Sequence, residues 1–264
     1  MTALLACERA ADPETRTGPI RLATTQEMLH SGLPAALAKA SGLDVQVVLH
    51  EAQAPADIVL LPGEEGWLFA TTRLVLVGPQ DESKRSYGEH NYEVGAHAPN
   101  DDWTTTADAE LLLYEISLST KPLVTSSGPP LVAEREQQLM KKMLEDGPYE
   151  WRIEARGALS DKLRIASEKH AYALVDLATF VRERGSLRIG LVMARDPRFR
   201  VDYRVQRRTP EAQKLFDWFG SAPCREFLRR YLVRGKRIFF LPNEHFPTAL
   251  WGRLDPPPYP EEEY

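Results

Sequence analysis

The chain has 264 residues, 43% hydrophobic and 27% charged, with a formal net charge of -5 at pH 7. This length buries a sizeable core in one large domain or two small ones, and an acidic balance with scattered basic residues argues against a general nucleic-acid binder. No stretch reaches the ~20 apolar residues of a membrane-spanning helix, and Cys7 and Cys224 are too few for a disulfide framework or a cysteine-built zinc site.

Cys7 closes "LLAC", a sequence shaped like a lipidation box, although "MTALLA" lacks the charged start and apolar length of an export signal. Cys7 is a lipidation candidate, and residues 1–18 read as a flexible segment. Leu22 and Ala23 then end a short strand, and Leu29, Leu33, Leu37 and Ala40 recur at helical spacing up to Gly42. Thr24 and Thr25 fall in the turn between. Thr is a common helix cap, and the unpaired amides of a helix start also favour an anion.

"DVQVVLHEA", "ADIVLLPG" and "TRLVLVGP" follow as strands, an order that indicates an open α/β fold. Residues 81–106 read as a long irregular connection. "ADAELLLYEISLS" is a helix, "PLVTSSGPP" a strand with a polar turn, and "LVAEREQQLMKKMLEDG" a helix closed by Gly147. Thr125, Ser126 and Ser127 thus repeat the hydroxyl-bearing turn of Thr24 and Thr25. Two such turns beyond strand carboxyl ends can share a small anion.

"SDKLRIASEKH" is a helix with Ser160 as its expected cap, followed by the strand "AYALV" and the helix "DLATFVRERG". "LRIGLVMAR" is a strand and "DPRFRVDYRVQRRTP" an extended return. Two helical segments, broken near Gly220 and Pro223, then place Cys224 in a packing role. The tail "RLDPPPYPEEEY" is expected to be exposed. His90 and His97 have no recognised metal spacing. No nucleophile elbow, phosphate loop or dinucleotide fingerprint is present. Ser167, His170 and Asp176 are a conceivable triad only if the fold assembles them.

The segment "LRIASEKHAYALVDLATFV" carries Ala166, Ser167, Glu168, Lys169, Tyr172, Leu174, Asp176 and Thr179. It resembles the Ala-Ser-Glu-Lys to Tyr-x-Leu-x-Asp-x-x-Thr stretch of the tungstate-binding family of ABC importers. That family belongs to the type II periplasmic solute-binding proteins. "RLATTQEMLHSGLPAALAKASGLDVQVV" is similar to its opening, and the resemblance spans most of residues 21–231.

The resemblance implies a two-lobed α/β fold, residues 19–78 with 205–250 forming lobe I and 79–204 lobe II. Crossings would lie near Gly78 to Asp81 and Arg198 to Val205, with 251–264 as a tail. It further implies a monomer that captures a tetrahedral oxyanion, tungstate or molybdate, between the lobes for a membrane permease, without catalysis, cofactor or resident metal. Thr24, Thr25, Thr125, Ser126, Ser127, Arg156, Ser167, Lys169, Tyr172 and Asp176 are its implied ligand-binding residues. The location is periplasmic or tethered outside the cytoplasm, or cytoplasmic if the start is genuine.

Two places depart from the family pattern. Gln26 and Glu27 follow the paired threonines where the family continues with hydroxyls. Glu27 is expected to face solvent as a favourable first-turn charge, since a carboxylate turned inward would repel an oxyanion. The second turn, "TSSGPPLVAE", lacks the family's arginine, leaving Arg156 or Lys169 as substitute cations unless surface ion pairs hold them. The alternative function is a divergent relative that has lost oxyanion binding and serves as a sensor or interaction module.

Overall fold

The structure is a computed structural model that describes residues 18–51, 54–79, 109–118, 121–127, 130–141, 151–193 and 196–244. Cys7, the 81–106 connection with His90 and His97, and the acidic tail lie outside the described residues.

The first apolar run forms β1 (Ile20–Thr24), which pairs in parallel with β2 (Val45–Leu49) and β3 (Ile58–Pro62). Parallel neighbours need a crossover, supplied here by α1 (Gln26–Ser31) and α2 (Leu33–Ser41), which Gly32 separates. The same logic recurs further on. β5 (Leu123–Ser126) pairs in parallel with β6 (Arg152–Ala155) and β7 (Tyr172–Asp176). α4 (Pro130–Met140) follows β5, and α5 (Leu159–Glu168) lies between β6 and β7. α3 (Ala109–Leu118) precedes β5, and α6 (Leu177–Glu183) follows β7.

β4 (Trp67–Pro79) joins the two halves. Its stretch Trp67–Arg73 runs antiparallel to β9 (Arg200–Arg207), whereas Leu74–Val77 pairs with β7 and Leu76–Pro79 with β8 (Ile189–Met193). One sheet results, in the order β2-β1-β3-β9-β4-β7-β5-β6, with β8 on β4. α7 (Gln213–Phe219) and α8 (Ala222–Arg230) return to the first half, where α8 packs near α2.

The first crossing therefore falls between Arg73 and Leu74, earlier than the expected Gly78. Leu74, Val75, Leu76 and Val77 are fully buried, and this continuous apolar run already belongs to the second lobe's core. Gly78 is instead a close-approach position, where an added Cβ would lie 2.7 Å from two ring carbons of Tyr172. The return crossing is the single turn Pro197–Phe199, so β9 belongs wholly to the first lobe.

One further expectation is corrected. α5 starts at Leu159 with Ala158 at its N-cap, so Ser160 lies inside the helix and is not the cap. Burial of Leu159, two residues after Gly157, whose φ is +105°, begins the helix before Ser160. β6 has no sequence signal of its own, being four residues whose register comes from pairing with β5. Cys224 is buried, and burial pushes its thiol up to about 12.

Candidate functional site

Thr25 has extended backbone and caps α1, its hydroxyl accepting from the Met28 amide at 3.3 Å. Thr24, directly before it, is fully buried and donates to the Leu60 carbonyl at 2.6 Å, tying β1 to β3. The first turn of α1 then meets the second lobe. Gln26, Glu27 and His30 line a cavity of about 20 Å³ with Ala158, Leu159 and Ser160 of the α5 start and Thr179 of α6. That volume is about one water's worth.

Glu27 is the principal departure from expectation. It is turned inward and only 4% exposed, and its Oε1 has no hydrogen-bond partner. Burial raises its carboxyl above the usual range, opposed by its own amide and the Thr25 hydroxyl and reinforced by nearby Asp176. The helix needs no solvent-facing acid here because Thr25 already satisfies a first-turn amide.

Asp176 ends β7 and caps α6, its Oδ1 accepting from the Thr179 amide at 2.9 Å while its Oδ2 has no partner. Burial raises this carboxyl as well, against the Thr179 contacts and the influence of His30. Tyr203, on β9, is buried between Glu27, Asp176 and Thr25, and desolvation drives its phenol far upward. His30 Nε2 lies 3.4 Å from a Glu183 carboxylate oxygen without hydrogen-bond geometry.

α5 has ten residues, and its N-cap makes no side-chain hydrogen bond. The first amides of a helix have no intrahelical partner, and the positive end of the dipole lies with them. That end opens on the cavity beside the Ser160 and Thr179 side chains.

The second hydroxyl turn is built on a buried ion pair absent from the sequence reading. The Ser126 amide donates to Glu136 Oε2 at 2.8 Å, and the other Glu136 oxygen accepts from Lys162 Nζ. Lys162, 1% exposed, also donates to the Leu174 carbonyl at 2.8 Å. Desolvation raises Glu136 and lowers Lys162, each opposed by the other. The signal for Glu136 was its place between Val132 and Met140 on the buried face of α4; Lys162 similarly shares a face with Leu159, Leu163 and Ala166.

The implied ligand residues divide by position. Thr25 and Asp176 belong to the group around Glu27 and Tyr203. Ser126 and Ser127 lie at the carboxyl end of β5, Ser127 donating from its amide and hydroxyl to the Ala155 carbonyl at 3.2 and 3.3 Å. Thr125 is buried and accepts from Arg152 at 3.4 Å, and Arg156 is exposed just after β6.

Ser167 and Lys169 sit at the far end of α5, about 15 Å of helix from the cavity. Ser167 accepts there from the Arg188 amide at 2.9 Å. Tyr172 begins β7, opposite Asp176 along the strand, with its ring against Gly78 in the core. These three are therefore not brought to the cavity, and the other seven implied ligand residues are not among those that line it either. Ser167 and His170 are likewise separated from Asp176 by β7, so no triad forms. Among the described residues, no group of three or more His, Cys, Asp or Glu side chains is placed to hold a metal ion. Among them also, no helix is long and apolar enough to cross a membrane.

No protein-family model matches the chain, and no curated protein sequence matches it. Solved structures do. The tungstate-binding protein of Desulfovibrio alaskensis superposes with a TM-score of 0.62 at 16% identity, covering 86% of this chain and 100% of that one. The tungstate ABC transporter structure from Geobacter sulfurreducens gives 0.60 at 17% identity, covering 81% and 98%. The BenM effector-binding domain, with its effector benzoate, gives 0.53 at 13% identity, covering 81% and 93%. The strand order, the two crossings and these superpositions together establish a two-lobed type II periplasmic-binding-protein fold.

Proposed function

We propose that this chain is the solute-binding protein of an ABC importer, capturing a small tetrahedral oxyanion between its lobes, with tungstate and molybdate as the first candidates. The observation that supports this reading is the uncapped start of the ten-residue α5, opening on a cavity lined by Ser160, Thr179 and Gln26. Amides, hydroxyls and a side-chain amide replace an oxyanion's water shell, and the helix dipole favours its charge. The tungstate-binding proteins that share the fold point to the same ligand class. Lobe closure then presents a recognisable loaded form to a membrane permease, and the chain works outside the cytoplasm.

Thermal unfolding with tungstate, molybdate, sulfate and phosphate tests this. A ligand that binds only the folded state at 100 times its Kd adds about 2.7 kcal/mol. The expected result is a higher midpoint with tungstate or molybdate, reduced in Thr25→Ala. Unchanged midpoints with all four anions overturn the oxyanion assignment and favour an organic effector, the ligand type held by the BenM domain of the same fold.

A further inference from the structure

The proposed oxyanion reading places an anion against a buried acid. Glu27 lines the cavity, is 4% exposed, and has a buried Oε1 without a partner. An anion oxygen in hydrogen-bond contact with an ionised carboxylate is repelled, and neither has a proton to donate.

The surrounding groups supply no fixed cation at the cavity, whose basic lining residue among the described ones is the imidazole of His30. From its own helix Glu27 is accompanied by His30; from the end of β7 it meets Asp176, and from β9 Tyr203. α6 adds Arg182 and Glu183, but Arg182 is directed to the Ser31 carbonyl at 2.7 Å, and Glu183 faces His30. α2 has only Lys39, in its last turn. On α5, Asp161 adds a further acid to the first turn, and Lys162 is bonded to Glu136 and the Leu174 carbonyl.

The arrangement has one simple solution. We infer that the cleft takes up its anion together with one proton, held between the Glu27 carboxyl and an anion oxygen. This rests on the oxyanion reading and deepens it. With a fully ionised anion such as tungstate, the proton comes from solvent and Glu27 becomes the donor. With an anion that already carries a proton, such as hydrogen phosphate, the ligand supplies it and Glu27 accepts. The complex contains the same O–H···O bond in either case. Glu27 is thereby a specificity-determining residue, selecting anions by how they share a proton.

Calorimetric titration of the full chain with tungstate and with inorganic phosphate, from pH 6 to 8 in buffers of different ionisation enthalpy, tests this. Tungstate affinity should fall as the pH rises, by up to about tenfold per unit where Glu27 is ionised in the unliganded chain, with uptake approaching one proton per site there. Phosphate should show uptake only to the extent that its proton must come from solution. Glu27→Gln, a neutral donor of the same shape, should remove the slope for tungstate and bind it more tightly than the parent at pH 8. A cooperative unfolding transition at pH 6, with a midpoint no lower than the parent's, would confirm that the variant is folded. A pH-independent affinity without proton uptake overturns the inference and leaves the oxyanion reading standing. A slope retained in Glu27→Gln, whether it is then removed by Asp176→Asn, by His30→Gln or by neither, overturns the assignment to Glu27. Absence of anion binding in parent and variant across the range overturns both readings.

Discussion

The Arg182 guanidinium on α6 donates to the Ser31 carbonyl at the end of α1 at 2.7 Å, joining the second lobe to the first. Tyr231 donates to the same carbonyl at 2.9 Å. Gly32 makes room for both. Its φ is +78°, and an added Cβ would stand 2.8 Å from Arg182 Nη2. One carbonyl at a helix end, which would otherwise lack an intrahelical partner, thus serves as the catch of a closed cleft.

Arg182→Ala should favour the open form. A hydrogen bond from a charged donor contributes roughly 1.5–3 kcal/mol, so loss of the catch should increase the radius of gyration in small-angle scattering while leaving the helical circular dichroism unchanged. An unaltered scattering profile would show that the Arg182 contact does not hold the lobes together.

The Glu136 and Lys162 pair makes a different prediction. Lys162→Met leaves the buried Glu136 carboxyl with the Ser126 amide and the charge of Arg152 but without its bonded cation, and removing one partner of a buried pair costs about 3–5 kcal/mol. Replacing both, as Lys162→Met with Glu136→Leu, should restore most of that loss in urea unfolding, because no uncompensated charge remains. A double variant as unstable as the single one would indicate that the pair's own bonds to Ser126 and Leu174 hold the second turn.

Glu27 and Asp176 couple stability to pH in the unliganded chain. Burial raises both carboxyls, so the folded state holds their protons more tightly than the unfolded chain. Their contribution is complete below the ordinary values of 4.5 and 3.8 and is lost as the pH rises through the raised ones. Glu27→Gln should therefore raise the unfolding midpoint at pH 8, with the gain shrinking towards pH 5. Asp196 has the opposite sign: hydrogen bonds from Arg198 and the Ala109 amide outweigh its burial and hold it low. Its contribution is present above the ordinary value of 3.8 and is lost as acid titrates through the lowered one.

Gly78→Ala should destabilise by about 1–3 kcal/mol, the usual range for overpacking a filled core, because the new methyl meets the Tyr172 ring at 2.7 Å. Tyr172→Leu in the same chain should recover part of the loss. Both effects are read from denaturant midpoints, and neither should alter ligand binding if Tyr172 is a core residue.

Elements with their own periodicity were legible in the sequence. β1, α2, β7 and α6 follow apolar runs, the strands ending at Thr24 and Asp176 and the helices capped by Gly42 and Arg184, and the capping positions of Thr25 and Asp176 are local facts. What could not be read depends on distant partners. Glu27 has the same local sequence whether it faces solvent or the cavity; the closure of α5 and α6 over α1 decides which. Glu136 and Lys162 stand 26 residues apart and make sense only once α4 and α5 flank β5. Tyr172 and Ser167 carried the family resemblance, yet the resemblance could not tell which end of β7 meets the cleft.

β4 crosses between the lobes without a break, and its first-lobe part is fastened almost to the boundary. Thr71 bridges Phe240, and the Thr72 hydroxyl donates to the Ile238 carbonyl at 2.8 Å. Just beyond, Leu74 is already laddered to Asp176, whose other role is to cap the helix at the cavity. Very little backbone is free to pivot there, so β4 joins the lobes as a torsion bar anchored at both ends, not as a slack hinge. A twist applied there moves the Asp176 carboxyl directly, and strain introduced at Arg73 should be felt at the cleft as a change in opening rate even where no contact to the ligand is altered.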